Sequence, residues 1–192
     1  FERVGSGPGP TVVVDYAHTP DALARTLDAA RARCPGRLWV VFGCGGGRDA
    51  EKRPLMGAIA AARADRVIVT TDNPRCEDPA RIAAQVVSEP ETRAAVEAGR
   101  VVHVPERRSA IRSAVGCAEV GDWVLIAGKG HEVTQQLADG IVPFDDRAVA
   151  AEALQQRGEV VNGVESRSIL GGGGGDRVRG LRRPEGHDLR QR

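Results

Sequence analysis

Short apolar runs alternate with amphipathic segments over the first 157 residues of the chain. The runs are nearly continuous in Val, Ile, Leu and aromatic residues, which is typical of strands that are buried on both faces of a parallel sheet. Five of them are residues 11–14, 38–42, 67–70, 101–104 and 123–127. A sixth run, residues 141–144, predicts a strand that closes one edge of the same sheet.

The segments between the runs have a helical period. In three of them the apolar residues fall on one stripe, as expected for amphipathic helices. The stripes are formed by Leu23, Leu27, Ala30 and Cys34, by Ile111, Ala114, Val115 and Ala118, and by Val149, Ala153 and Leu154. The alternation predicts an α/β fold, with a Rossmann-like, doubly wound, mostly parallel sheet of about six strands and helices on both faces.

A composition break falls near Gly158. The last 35 residues hold nine of the 24 glycines and show neither a helical nor a strand period. Such a segment has too little apolar surface to order itself. We therefore expect a folded domain at residues 1–157 and a disordered Gly/Arg-rich tail at residues 158–192.

The composition excludes several classes of protein. Apolar residues make up 41%, charged residues 28% and the net charge is +1, which disfavours both a disordered acidic chain and a basic nucleic-acid binder. No apolar run approaches the roughly 18 residues that span a bilayer, and the opening lacks a signal-peptide core. We expect a cytoplasmic protein with no nucleic-acid or membrane partner. Because the chain begins with Phe in a loop-like segment, we also expect a piece of a longer protein.

The cysteines do not predict a metal site. They are widely separated and have no neighbouring histidine at ligand spacing: Cys34, Cys44, Cys76 and Cys117. This spacing predicts neither a disulfide framework nor a zinc site, and we expect buried or neutral thiols and no metal ligands in this chain.

Four of the predicted strands are followed by unusual turns. In open α/β sheets ligands bind at the carboxyl ends of the strands, so these turns form the candidate site. They read DYAHTPD (15–21), GCGGGRD (43–49), DNPRCEDP (72–79) and GKGHE (128–132). The turn after the fourth run, PERRS, has no comparable signature.

In the first turn, Thr19 can cap a helix that begins at Pro20, with the positive helix end facing the space above the strand. Asp15 and His18 would border that space. The alternative, that Asp15 and Thr19 are only turn and cap residues, is equally compatible with this segment.

The second turn is not a dinucleotide fingerprint, because Arg48 stands where the third glycine of GxGxxG is required. A P-loop is also absent from the chain, since Gly128-Lys129 is followed by Gly130 rather than Ser or Thr. The glycines still allow the backbone to approach an anion with the Arg48 guanidinium alongside. Taken alone, this turn is equally compatible with a role in packing.

The third and fourth turns carry charged groups in constrained backbone. Asp72 and Asn73 before Pro74 favour a turn that holds the Arg75 guanidinium at a fixed angle, which suits a carboxylate. In GKGHE we expect Glu132 to open a helix, where its carboxylate stays ionised and can receive a substrate ammonium. The alternative for each motif is a solvated turn.

Lysine is rare in this chain: only Lys52 and Lys129 are lysine among 27 basic residues. Both lie in polar loops, GRDAEKRP and GKGHE, where a compact ammonium can be required that a guanidinium does not replace. Chance is the alternative explanation.

Read in order, DYAHTPD, GCGGGRD with KRPLMG, TDNPRCEDP and AGKGHE resemble the C-terminal domain of the Mur ligases, in the branch of UDP-N-acetylmuramoyl-tripeptide synthetases that add meso-diaminopimelate. The resemblance covers about residues 1–155. In that family a first domain holds the UDP-sugar, a central P-loop domain holds ATP, and the third brings the amino acid. With ATP and Mg2+ the family phosphorylates the carboxylate of UDP-N-acetylmuramoyl dipeptide, and an amine then attacks the acyl phosphate.

The resemblance also implies site residues. Those expected to bind meso-diaminopimelate are Arg48, Asp72, Asn73, Pro74, Arg75, Gly128 and Glu132. Asp15 and His18 are expected to face the nucleotide, and Lys129 and His18 are candidate catalytic residues, none certain. Lys129 is either a phosphate-side or a structural cation. ATP and Mg2+ would be held mainly by the other two domains.

A single carboxylate distinguishes diaminopimelate from lysine, so discrimination between them requires a group such as Arg75.

The sequence departs from the family pattern in two places. Gly47 replaces an acid of the usual GCGGDRD, which we expect to loosen the loop carrying Arg48. The tail has no family counterpart. The alternatives for its origin are a frameshifted end, an assembly artefact and a lineage-specific extension.

Two other functions compete with this one: an isolated binding module that lost catalysis, and a generic nucleotide-binding domain.

Overall fold

The computed structural model describes the backbone of residues 1–170 and the side chains of residues 1–158. The strands are β1 (Glu2–Val4), β2 (Thr11–Asp15), β3 (Leu38–Phe42), β4 (Arg66–Val69), β5 (Val101–His103), β6 (Trp123–Ala127), β7 (Thr134–Leu137) and β8 (Gly140–Pro143). The helices are α1 (Pro20–Arg31), α2 (Lys52–Arg63), α3 (Pro79–Val86), α4 (Pro90–Glu97), α5 (Arg107–Cys117) and α6 (Asp146–Leu170).

Six strands form one sheet in the order β1-β2-β6-β3-β4-β5, and the five strands from β2 to β5 in that order are parallel. The predicted doubly wound, mostly parallel sheet is thus confirmed, and each of the five apolar runs is a strand within one residue of its predicted bounds.

The edge of the sheet differs from the prediction. The run at 141–144 does not join the sheet; it lies largely in β8, which pairs only with β7 in a separate hairpin. The edge is instead β1, antiparallel to β2. Its three residues are mostly exposed and polar, so no apolar pattern marks it, and its pairing with β2 decides its conformation.

Helices cover both faces of the sheet. On one face, Leu23 and Leu27 of α1 and Met56 of α2 pack in a core shared with α3 and α4. On the other, Ile111 of α5 and Val149 of α6 pack against the opposite faces of the strands. Cys34, predicted on the first helical stripe, lies beyond the end of α1, because the helix ends at Arg31.

Helix α6 continues past residue 157 to Leu170, so a helix runs into the segment whose sequence showed no helical period. The prediction of disorder beyond Leu170 lies outside the described residues. No helix in the described part of the chain is long and apolar enough to cross a membrane.

Because β2, β3, β4 and β6 are parallel, their carboxyl ends meet at one edge of the sheet. All four unusual turns follow these strands and are gathered there.

Candidate functional site

A cavity of about 500 Å³ lies at the carboxyl ends of the strands. All four turns contribute to its lining, which consists of Tyr16, His18, Thr19, Gly43, Cys44, Gly45, Arg48, Asp49, Lys52, Asp72, Asn73, Arg75, Gly128 and Glu132. The structure thus brings together His18 and most of the residues predicted to bind the amino acid. Asp15, Pro74 and Lys129 do not line the cavity.

Asn73 is the centre of a hydrogen-bond network beneath the cavity. Its Oδ1 accepts from the Lys129 ammonium at 2.9 Å and from the Gln136 amide at 2.9 Å. Its Nδ2 donates to Glu132 Oε2 at 3.0 Å. Both ends of the amide are therefore satisfied, and the network fixes the Glu132 carboxylate at the cavity wall.

Lys129 is fully buried, and its ammonium also lies 3.3 Å from Glu132 Oε2. A buried ammonium is stable only when it is paired and hydrogen-bonded, and both conditions are met here. Of the two alternatives left open by the sequence, this geometry favours a structural cation.

Arg75 has a left-handed backbone, with φ 54°. Its amide donates to Gln136 O at 3.1 Å, and its Nη1 donates to Gly46 O at 2.7 Å. Among residues 1–158, Nε and Nη2 of Arg75 form no hydrogen bond, so this edge of the guanidinium remains available to a ligand at the cavity.

Two further basic residues, Arg48 and Lys52, line the cavity together with Arg75. Arg48 lines the cavity, as predicted. Lys52 also lines it and donates to His18 O at 2.8 Å, which joins α2 to the first turn. The cavity therefore has three basic side chains, Arg48, Lys52 and Arg75.

Asp72 supplies a buried carboxylate, only 7% exposed. Burial raises the pKa of the Asp72 carboxyl, while the positive charges of Arg107 and Lys129 oppose that rise. Gly128 has φ 116°, and a Cβ there would lie 2.6 Å from Asp72 Oδ2. Glycine at 128 thus allows close approach of the fourth turn to this carboxylate.

Glu132 does not open a helix, which corrects the sequence-based expectation: the fourth turn leads into β7. Glu132 is therefore not at a helix start of its own, and its charge is balanced by the Lys129 ammonium. The carboxylate lines the cavity, and its binding of a substrate ammonium stays a prediction.

The first turn is capped as predicted, since Thr19 Oγ1 accepts from the Ala22 amide and Pro20 begins α1. Asp15 turns away from the cavity, accepting from the Ala17 amide and from Thr26 Oγ1. His18 Nδ1 lies 2.8 Å from Tyr16 O, and the Tyr16 ring stands between the rings of His18 and His131 at 4.5 and 5.4 Å.

Residues 1–130 match the family model for the Mur ligase glutamate ligase domain. The chain belongs to the Mur ligase family. It is 53% identical over 158 residues to the UDP-N-acetylmuramoyl-L-alanyl-D-glutamate--2,6-diaminopimelate ligase of Synechococcus elongatus, which covers 82% of this chain and 31% of that protein. The ligase of the same name from Geobacillus kaustophilus is 48% identical over 158 residues, covering 82% and 32%.

A solved structure of a UDP-N-acetylmuramoyl-L-alanyl-D-glutamate--2,6-diaminopimelate ligase has the same fold as this Mur ligase domain. Its TM-score is 0.74 at 41% identity, over 80% of this chain and 31% of the other. The chain spans about a third of the length of the curated relatives that it matches.

The Mur ligase domain also has residues around its cavity that sequence reasoning missed. Gln135 Nε2 donates to Asp72 O at 2.7 Å, and Gln136 is hydrogen-bonded to both Asn73 and Arg75. Strand β7 therefore holds residues 72–75, the DNPR loop, in place. Lys52 and Tyr16 line the cavity without having been assigned to it. The scarcity of lysine had marked Lys52, but the hairpin glutamines have no signature in the sequence.

Gly47, the departure from the Mur ligase pattern, has φ 61°, a conformation that glycine adopts at least cost. A Cβ at this position would lie no closer than 3.9 Å to any side chain, Arg75 Cδ being the nearest. Glycine therefore suits the backbone here, and the expected loosening of the loop stays a prediction. Among the described residues, no group of three or more His, Cys, Asp or Glu side chains is placed to hold a metal ion.

Proposed function

We propose that this Mur ligase domain presents meso-diaminopimelate to an ATP-dependent ligase that joins it to UDP-N-acetylmuramoyl-L-alanyl-D-glutamate in peptidoglycan precursor synthesis. The observation that carries the proposal is the mixed charge of the cavity, whose lining includes the guanidiniums of Arg48 and Arg75 and the carboxylates of Asp72 and Glu132. Such a surface is complementary to a zwitterion. The relatives' names, which specify 2,6-diaminopimelate, support the same ligand.

The distal end of diaminopimelate carries one carboxylate and one ammonium on the same carbon. The free edge of the Arg75 guanidinium suits the carboxylate, with Arg48 as the second cation. The ammonium is placed against Asp72 and Glu132. Asn73 orients Glu132, and Pro74 is a backbone element of the loop rather than a contact.

Lysine lacks the distal carboxylate and would leave Arg75 without an anionic partner. A hydrogen bond to a charged group contributes about 1.5 to 3 kcal/mol, which corresponds to roughly a tenfold to hundredfold difference in affinity. The Arg75 guanidinium is therefore sufficient to explain a preference for diaminopimelate.

ATP and Mg2+ are proposed to be held mainly by the remaining two thirds of a complete ligase, because this chain has no P-loop. His18, with the neighbouring Tyr16, is proposed to face the nucleotide from the cavity rim. Asp15 stabilises the first turn through the hydrogen bonds that its carboxylate accepts from the Ala17 amide and Thr26 Oγ1. This chain's part in the reaction is to bind the amino acid and orient its attacking amine.

The alternative function is a binding module that retains the cavity without catalysis. A fusion tests it: the part of the Synechococcus elongatus relative that precedes the matching segment is joined to this chain. We expect amide formation that requires ATP, UDP-N-acetylmuramoyl dipeptide and meso-diaminopimelate together. A fusion that binds meso-diaminopimelate and yields no amide would support the binding module instead. Titration of the unfused chain with meso-diaminopimelate and L-lysine tests the ligand: equal affinities would refute the proposed substrate.

A further inference from the structure

A buried arginine outside the cavity joins two of its loops. Arg53, in the first turn of α2, is fully buried. Its Nη1 and Nη2 donate to the two carboxylate oxygens of Glu77 at 2.6 and 2.8 Å, and Nη2 also donates to Gly45 O at 3.0 Å. Gln85 of α3 accepts from the same guanidinium. Neither Arg53 nor Glu77 lines the cavity.

Glu77 connects the same loops from the other side. Its Oε2 accepts from the Gly47 amide at 3.2 Å. Hydrogen bonds from Arg53 and Gly47 lower the pKa of Glu77 to about 2, so the carboxylate remains ionised at neutral pH. Glu77 belongs to the DNPRCEDP loop and Gly45 and Gly47 to the GCGGGRD loop, so the ion pair bridges the two.

The two loops are also in direct backbone contact. The Gly46 amide donates to Asn73 O at 2.9 Å, and Gly46 O accepts from Arg75 Nη1 at 2.7 Å. A Cβ at position 46 would lie 1.9 Å from Pro74 O. Movement of the GCGGGRD loop would therefore displace Arg48, which belongs to it. It would also displace Gly46 O, the acceptor that holds the Arg75 guanidinium.

Arg53 is buried and Glu77 is partly exposed, and such an ion pair is poor evidence for stability, because desolvation of the guanidinium offsets the attraction. Arg53 even has a buried Nε with no hydrogen-bond partner among the described residues. The geometry, in contrast, is specific. Apart from the bond to Gln85, the remaining bonds of this pair end on the backbone of the GCGGGRD loop at Gly45 and Gly47, three residues and one residue before Arg48. This arrangement is suited to holding a loop in place.

We propose that Arg53 and Glu77 are positioning residues that set the relative placement of the Arg48 and Arg75 guanidiniums, and thereby the preference for an amino acid with a second carboxylate. This inference rests on the proposed function, since it concerns the same cavity.

Glu77→Gln tests the proposal, because it preserves the side-chain shape and removes the charge that holds Arg53. Asp122→Asn is the matched control: Asp122 accepts from the Arg37 amide and Trp39 Nε1 at the opposite end of the sheet. Titration calorimetry of the full chain with meso-diaminopimelate and L-lysine gives the selectivity, and urea unfolding gives the stability. We expect Glu77→Gln to reduce the selectivity about tenfold, the effect of misplacing one charged hydrogen bond, and Asp122→Asn to leave it unchanged.

A ligand-free measurement separates this inference from the proposed function. We expect the Nε–Hε NMR resonances of Arg48 and Arg75 to shift in Glu77→Gln and not in Asp122→Asn. If the wild-type chain does not prefer meso-diaminopimelate, the proposed function fails, and these resonances still test the positioning. Unchanged resonances, or a selective wild type whose selectivity survives Glu77→Gln, would overturn the inference. Should Glu77→Gln not fold, Glu77→Asp replaces it, since it keeps the charge and shortens the reach to Arg53.

Discussion

The ammonium of Lys129 lies 2.9 Å from Asn73 Oδ1, entirely shielded from solvent. These residues belong to different turns, and their contact joins the DNPR loop to the GKGHE loop. Because Asn73 in turn donates to Glu132, one buried cation orients two groups of the cavity wall. At this buried position a compact ammonium reaches both Asn73 Oδ1 and Glu132 Oε2.

Replacement of Lys129 by Met is therefore expected to destabilise the fold. The substitution leaves Asn73 Oδ1 with one donor fewer and Glu132 without its counter-charge, at a cost of about 1 to 3 kcal/mol. Urea unfolding measures the change. Lys52→Met is the matched control, because the Lys52 ammonium donates to a carbonyl at the surface. Equal stabilities of the two variants would argue against a structural role for Lys129.

Arg75→Ala is expected to weaken binding of meso-diaminopimelate by about 1.5 to 3 kcal/mol, the contribution of a charged hydrogen bond, and to leave lysine binding almost unchanged. Arg75→Lys should recover part of the loss, because an ammonium is a point donor and does not form a bidentate pair. Competition titrations of the two amino acids measure the ratio. Arg112→Ala, at an exposed site on α5, is the control, and an unchanged ratio in Arg75→Ala would show that Arg75 is only a turn residue.

Glu132→Gln is expected to behave differently from the arginine variants. In the proposed binding mode its carboxylate faces the ammonium that diaminopimelate and lysine share, so both ligands should bind more weakly and their ratio should persist. The same titrations measure this. A loss confined to diaminopimelate would mean that Glu132 does not contact the common ammonium.

Two glycine-to-alanine substitutions should have opposite effects on stability. Gly46→Ala places a Cβ 1.9 Å from Pro74 O, so the two loops must separate and the fold loses stability. Gly116→Ala adds a Cβ in open space on helix α5 and should stabilise by roughly 0.5 to 1 kcal/mol. Thermal unfolding of both variants checks the signs, and a neutral Gly46→Ala would show that the loops are not in close contact in solution.

The ion pair of Glu77 predicts a pH dependence of stability. The pKa of Glu77 is lowered from an ordinary value of 4.5 to about 2, so its contribution is present above pH 4.5 and is lost as the pH falls through about 2. Glu77→Gln should therefore reduce the slope of unfolding free energy against pH between these values. Urea unfolding across that window measures the slope, with Glu91→Gln, in the first turn of α4, as the control. The same slope in both variants would contradict the pairing.

Most of the fold was predictable, because its signals are local. Each buried parallel strand is a continuous apolar run, and the cap at Thr19 depends on residues within three positions of it. The gathering of four turns at one sheet edge also followed, since the carboxyl ends of parallel strands must meet. The edge strand β1 escaped prediction because two of its three residues, Glu2 and Arg3, are polar and exposed, and the strand takes its conformation from the neighbouring β2.

Sequence by itself determined the five parallel strands, the four turns at their carboxyl ends and most of the charged groups at the candidate site. Tertiary structure alone decided their partners: Lys129 meets Asn73 across 56 residues of chain, and Glu132 is stabilised by that lysine rather than by a helix end. The placement of β8 in a separate hairpin, and of that hairpin's glutamines against the DNPR loop, was decided in the same way. The physical reason is that the apolar pattern of a strand or helix involves residues close together in the chain and can be recognised locally. The partner of a buried polar group is a residue that the packed fold brings within hydrogen-bond distance, often from far away in the sequence.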